Sequence, residues 1–289
     1  MVTVLVLGAC LSLQLLLVTA TDFNPTKYSY CSAGCLNEDD GTVFMHTACK
    51  CNKLEGNRTL ISDDIVSFRK TIVEIHNKLR NKLASGGETK NGFPNAANMR
   101  VINYDLELEY IANCYAKVIY TGHDKCNRKH NSEYNSGQNI AGSTEKRDDI
   151  YVDQVNSWYS EIENVVNPAT FIESFALEGH AKPKKMIGHF SQVVWAETSL
   201  MGCARVWIPK NPKDHRYASV LICNYAGDDG CGGNVETESV YKAGKPASQC
   251  PDGTKRNDKY TSLCGTLEAI PELKPYKKGG NPVHDKDEL

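Results

Sequence analysis

The chain is 289 residues long and 40% hydrophobic, with 33 basic and 35 acidic residues and a formal charge of −2. That length admits one large domain with appendages or two modest ones, and the apolar fraction suffices for a packed core, which excludes a disordered chain. The near-even charge balance supplies no strong overall field to recruit an anionic membrane. With no basic stripe interleaved with aromatics, nucleic acid is excluded as a partner.

Residues 1–20 read as a signal peptide: apolar runs 2–7 and 11–18 lead to the small residues of Val18-Thr19-Ala20. The run is short for a bilayer span and broken by Gly8, Ser12 and Gln14, so no transmembrane segment is expected. The n-region departs from the usual pattern in having no Lys or Arg. Twelve cysteines are present, and Cys10 leaves with the signal. The odd remainder fits an oxidising compartment with structural bridges and one cysteine left over. Residues 21–60 form a loop-rich extension carrying Cys31, Cys35, Cys49 and Cys51, with an N-glycosylation sequon at Asn57-Arg58-Thr59.

Residues 61–235 alternate helical and strand patterns and form the main domain. Ser62-Asp63-Asp64 supplies N-cap chemistry for a first helix. Its apolar residues Ile65, Phe68, Ile72, Ile75, Leu79 and Leu83 recur in steps of three and four on one face, and Gly86-Gly87 ends it. A second helix starts near Asp105 and buries Leu108, Ile111, Tyr115 and Ile119. A third starts at Asp148 or Asp149 and runs through Val152, Val155, Tyr159, Ile162 and Val166. Strands at 202–208 and 217–225, joined by the polar loop 209–216, predict an antiparallel hairpin. Helices on both sides of a small sheet give an α+β fold, a three-layer α-β-α sandwich. Residues 236–268 form a turn-rich C-terminal extension in which Cys250 and Cys264 are natural partners. Residues 269–289, with Pro271, Pro275 and Lys277-Lys278-Gly279-Gly280, read as a mobile tail. The tail ends in Lys286-Asp287-Glu288-Leu289, the ER-retrieval address (KDEL).

Four motifs occur in order: His76-Asn77-Lys78-Leu79-Arg80, Gly137-Gln138-Asn139-Ile140, Gly188-His189-Phe190-Ser191-Gln192-Val193-Val194-Trp195, and Leu221-Ile222-Cys223-Asn224-Tyr225. Together they resemble the CAP superfamily of cysteine-rich secretory, antigen 5 and pathogenesis-related type 1 proteins, over residues 61–235. The stretches His46-Thr47-Ala48-Cys49-Lys50 and Gly122-His123-Asp124-Lys125-Cys126 narrow the resemblance to arthropod antigen 5, the venom allergen 5 type. The segment 226–232 departs from the family in being longer and in carrying Cys231. The resemblance implies bridges Cys31–Cys49, Cys35–Cys126, Cys51–Cys114 and Cys203–Cys223. With Cys250–Cys264 as a fifth, Cys231 is expected to be the free thiol, giving a monomer with a minor Cys231-linked dimer. The N-terminal segment is then expected to be riveted onto the sandwich.

The resemblance also implies a cleft lined by His123, Gln138, Glu161 and His189. An acidic position of the family is an amide here, Gln138. The imidazoles of His123 and His189 are candidate ligands for Zn²⁺, which accepts His nitrogen, while Gln138 offers no charge; no cofactor is required. The same four residues also read as purely structural hydrogen-bonding groups. His76 lies beside the core face of the first helix and is expected to pack there. Trp158, Trp195 and Trp207 read as core, and Lys182, Lys184 and Lys185 as a solvated loop.

The expected function is that of a non-enzymatic, secreted glycoprotein that binds a small lipid or sterol, or acts on a host or prey protein as a venom or salivary factor. Its expected location is extracellular, with ER-lumen retention through the C-terminal tetrapeptide. The alternative is a metal-assisted or serine-type hydrolase (a peptidase) built on the His/Glu cleft, with Ser191 as nucleophile and Glu161 orienting an imidazole. An amide cannot titrate, which favours the binding protein.

Overall fold

The computed structural model describes residues 23–37, 40–51, 58–118, 122–208, 218–228 and 230–275. The signal segment 1–20, Asn57, Ile119, the loop 209–216 and Lys286-Asp287-Glu288-Leu289 lie outside the described residues. In chain order the strands are β1 (Cys35–Leu36), β2 (Val43–Phe44), β3 (Thr59–Leu60), β4 (Asn103–Tyr104), β5 (Gly137–Ser143), β6 (Leu200–Trp207) and β7 (Ser219–Ala226). The helices are α1 (Ile65–Ala84), α2 (Leu106–Ala116), α3 (Ile150–Ser160), α4 (Pro168–Glu173) and α5 (Gly188–Val194).

β6 and β7 form the expected antiparallel hairpin, with Cys203 opposite Cys223. The main sheet runs β3-β6-β7-β5, and β4 adds to β6 in parallel. β5, read from sequence only as a motif, is an edge strand pairing Gln138 with Asn224 and Ile140 with Ile222.

Alternation along these strands builds two cores. Met201, Cys203, Leu221, Cys223 and Tyr225 join α1, α3 and α5 on one face. Ala204, Val206, Val220 and Ile222 meet Ala112, Tyr115 and Ala116 of α2 on the other. The result is the α-β-α sandwich. α2 approaches so closely that a Cβ on Gly202 would lie 2.1 Å from Glu109 N.

The face of α1 is less apolar than its spacing implies. Ile65, Phe68, Ile72 and Leu83 are buried, but so are Arg69, His76, Asn77 and Arg80, while Ile75 and Leu79 are only partly buried. These polar groups satisfy backbone that would otherwise be orphaned. Asn77 pairs with both the N–H and the C=O of Ile102 at 2.8 Å. Arg80 donates to the carbonyls of Arg100, Val193, Trp195, Ala196 and Thr198, which collects the open C-terminal end of α5. Asp64 is the N-cap residue, but its carboxylate pairs with Arg205 and does not cap.

Three expectations are corrected. The third helix does not reach Val166: α3 stops at Ser160, Glu161–Asn164 is a 3₁₀ turn, and Val166 is exposed. Pro168 opens α4 with Asn167 as its N-cap, and a residue preceding proline is driven out of helical geometry, so the chain must unwind first. Trp158 and Trp195 are core, but Trp207 is only partly buried, with Lys146 Nζ 5.5 Å from its ring centroid. Finally, the tail is not mobile from residue 269. Leu273 is buried, and Arg69 Nη1 donates to the carbonyls of Pro271 (2.8 Å) and Leu273 (2.6 Å). The preceding segment is equally integrated, since Val240, Tyr241, Tyr260 and Leu263 belong to the larger core.

Disulfides join Cys31–Cys49, Cys35–Cys126, Cys51–Cys114, Cys203–Cys223 and Cys250–Cys264. Two of them tie the N-terminal segment to the α2 side of the sandwich, where Tyr30 and Ala48 pack on Ile111 and Cys114. In the chain-entropy model, closing the loop between residues 35 and 126 stabilises by about 4 kcal/mol. Cys231 lies in the turn after β7, where its carbonyl accepts from Gly227 N at 2.6 Å. This longer turn packs tightly against β5, so that a Cβ on Gly232 would lie 1.6 Å from Gly137 N.

Candidate functional site

The edge strand β5 touches both candidate histidines, His123 through Gln138 and the backbone of His189 through Asn139. Gln138 points to the α2 face, where its Nε2 donates to Asn224 Oδ1 at 2.9 Å. Asn139, one residue on, reaches the other face and donates to the carbonyl of His189 at 3.1 Å.

On the first side, His123 Nδ1 lies 2.9 Å from Gln138 Oε1. Gln138 Nε2 also donates to Asp124 Oδ1 at 3.0 Å. Two acceptors on Nε2 fix the amide so that Oε1 faces His123, and His123 Nδ1 must carry the hydrogen. Asp124 is the residue that sequence reading passed over. It accepts from Thr47 Oγ1 at 2.8 Å, and burial pushes its carboxyl up to about 6. A carboxyl therefore stands behind Gln138, one shell back from the position where the family carries an acid.

On the second side, the 3₁₀ turn after α3 aims Glu161 at the N-terminus of α5. Glu161 Oε2 accepts from the backbone N–H of His189 (2.9 Å) and of Phe190 (3.2 Å), and Oε1 lies 2.7 Å from His189 Nδ1. A carboxylate only accepts, so Nδ1 carries the hydrogen here too. The Trp158 ring stacks on His189 with centroids 6.1 Å apart and 15° between planes.

In the neutral tautomer both imidazoles therefore leave Nε2 as a lone-pair donor. That suits a metal ligand held by an outer hydrogen bond. Among the described residues no three His, Cys, Asp or Glu side chains converge as a ligand cluster.

His76 sits in the core, with Nδ1 2.8 Å from Ile72 O and Nε2 2.9 Å from Tyr225 OH. Ser191 is buried, and its hydroxyl lies 2.6 Å from Asn234 Oδ1 and 3.0 Å from Gly188 O. A surface pocket bounded by Phe23, Leu106, Tyr110 and Leu273 is lined by none of the four cleft residues.

A chain with this sandwich and these paired histidines falls into a known class. The profile described as the cysteine-rich secretory protein family (CAP) matches residues 73–225, and the chain belongs to that family. Its relatives include venom allergen 5 of Tityus serrulatus, 34% identical over 236 residues. That alignment covers 77% of this chain but 53% of the relative, so the chain spans about half the length of that protein. Venom allergen 5 of Vespula maculifrons is 32% identical over 238 residues, which cover 79% of this chain and 95% of that one. Among solved structures, the crystal structure of NaASP2 with Zn²⁺ superposes with a TM-score of 0.52 at 26% identity, covering 68% of this chain and 94% of NaASP2.

Proposed function

We propose that the chain is a non-enzymatic binding protein that takes a small lipid or sterol, or engages a host or prey protein, as a venom or salivary factor. The observation that carries this reading is the state of the groups a hydrolase would need. Ser191 is buried and committed to Asn234, and Gln138 places an amide beside His123. A nucleophile without access and a site residue that cannot titrate argue against acid–base chemistry at the cleft. The kinship with venom allergen 5 proteins supports the venom or salivary setting.

The test is native mass spectrometry of the protein purified from its source, with peptidase and esterase assays in parallel, with and without Zn²⁺. A co-purified lipid and background-level hydrolysis are the expected results. Hydrolysis that falls about a hundredfold in Ser191→Ala or Glu161→Gln would overturn the reading.

Within the same cleft, His123 and His189 are proposed to accept Zn²⁺ through Nε2, in line with the ion named for NaASP2. For location, the five disulfides support an oxidising compartment, and among the described residues no helix is long and apolar enough to cross a membrane. Secretion with partial retrieval through Lys286-Asp287-Glu288-Leu289 is the proposed route. Deleting those four residues and comparing medium with lysate tests it, and equal secretion of both chains would remove the retrieval step.

A further inference from the structure

Three exposed lysines and three exposed large apolar side chains lie on adjoining segments beside α5. Lys182-Pro183-Lys184-Lys185 closes a tight turn through Lys185 N–H to Lys182 O at 3.0 Å. Pro183 takes its second position, and Lys184 takes the third with φ +61°. That is the pattern of a type II turn, whose third position ordinarily takes glycine because the backbone there is left-handed. A lysine held in strained backbone at a loop apex suggests a use for its side chain.

The surroundings suggest which use. Met186 is 63% exposed, Val166 60% and Leu177 52%. Backbone bonds gather them: Lys182 N–H to Asn164 O (2.8 Å) and Val166 N–H to His180 O (2.9 Å). Asn164 Nδ2 also donates to Met186 O at 2.9 Å. Leu177 Cδ1 would lie 3.2 Å from a Cβ on Gly188, two residues past Met186. Between Leu177 and Met186 three lysines stand against one glutamate, Glu178. Glu161 and Glu163 lie on the adjoining segment, and Glu236 Oε1 accepts from the Leu177 N–H at 3.0 Å.

We propose that this face docks on an anionic lipid bilayer, with the three lysines over the headgroups and Met186, Val166 and Leu177 at the acyl boundary. Neighbouring cationic and apolar groups match an interface that offers both charge and a hydrophobic layer. A sulfated polysaccharide would use the lysines but leave the apolar side chains in water. Flexible ammonium point charges also suit a diffuse layer of headgroups better than planar, bidentate recognition. With an overall charge of −2 the attraction is local to this loop and acts within a Debye length. α5 begins two residues after Met186, so docking would bring the His189 side of the cleft close to the lipid. The docking face itself does not depend on what the cleft binds.

The test is flotation of the protein, purified from the medium of expressing cells, with vesicles of phosphatidylcholine alone or mixed equally with phosphatidylserine. Wild type should float with the mixed vesicles and not with phosphatidylcholine alone. The combined Lys182→Gln, Lys184→Gln and Lys185→Gln variant should lose at least about tenfold in binding. Met186→Asp should weaken it as well. Lys184→Gly should melt no lower than wild type, because the strain is relieved, yet bind about fivefold less well. The proposal is overturned if the triple variant or Lys184→Gly floats like wild type, or if phosphatidylcholine alone captures the protein equally. Retention on heparin without flotation would replace the bilayer by a sulfated polysaccharide.

Discussion

His189 and Glu161 are joined at two points, with Nδ1 2.7 Å from Oε1 and the His189 backbone N–H 2.9 Å from Oε2 of the same carboxylate. This clamp fixes both the ring's orientation and its tautomer, which leaves Nε2 to bind an ion. Zn²⁺ near pH 7.5 should therefore raise the melting temperature, and His189→Ala should abolish the gain. Glu161→Gln should weaken Zn²⁺ binding by about tenfold to a hundredfold, the usual cost of losing an outer-shell partner. A thermal shift unchanged across a Zn²⁺ titration would exclude the metal.

His76 makes folding sensitive to acid. Burial lowers its pKa from 6.5 to about 4, so the folded state disfavours the imidazolium. The stability tied to the neutral ring is complete above pH 6.5 and is lost as pH falls towards 4. Between pH 7.5 and pH 5 the loss is about 2 kcal/mol. Urea denaturation of wild type and His76→Gln at both values reads it as a steeper fall in wild type. Parallel falls would show that His76 is not the sensing group.

Asp124 works in the opposite direction. Its folded carboxyl titrates at about 6 against an ordinary 3.8, so the fold holds the proton more tightly than the unfolded chain does. Its contribution therefore improves as pH falls from above 6 towards 3.8, and ionisation at neutral pH works against the fold. Asp124→Asn should stabilise the protein by about 2 kcal/mol at pH 7.5, with the difference fading near pH 4. A variant less stable at pH 7.5 than at pH 4, each relative to wild type, would contradict this assignment.

Arg69 anchors the last described residues. It pairs with Glu109 at 2.7 Å and holds Pro271 and Leu273 by their carbonyls. Arg69→Met leaves Glu109 buried without its cation, a loss of about 3–5 kcal/mol. Residues 270–275 should then become the first site of limited proteolysis. Unchanged cleavage together with an unchanged urea midpoint would show that the segment is held by packing alone.

Much of this was legible in the residues alone. The spacing along 65–83, the cap at Asp105 and the hairpin around Cys203 and Cys223 are local patterns, and local sequence decides helix, turn and strand period. The family motifs named His123, Gln138, Glu161 and His189 as site residues without showing how they pair. Tertiary structure decided what depends on contacts distant in sequence. Asp124 counts in the site only because β5 brings Gln138 beside it, and His76, Asn77 and Arg80 are core because distant carbonyls need donors. The tail docks because Arg69 is buried 202 residues away from its acceptor Pro271. Lys182, Lys184 and Lys185 read as a solvated loop until their exposed apolar neighbours are seen. Hydrophobic periodicity records which way a side chain faces, whereas hydrogen-bond partners and shared surfaces are set by the packing of separate elements.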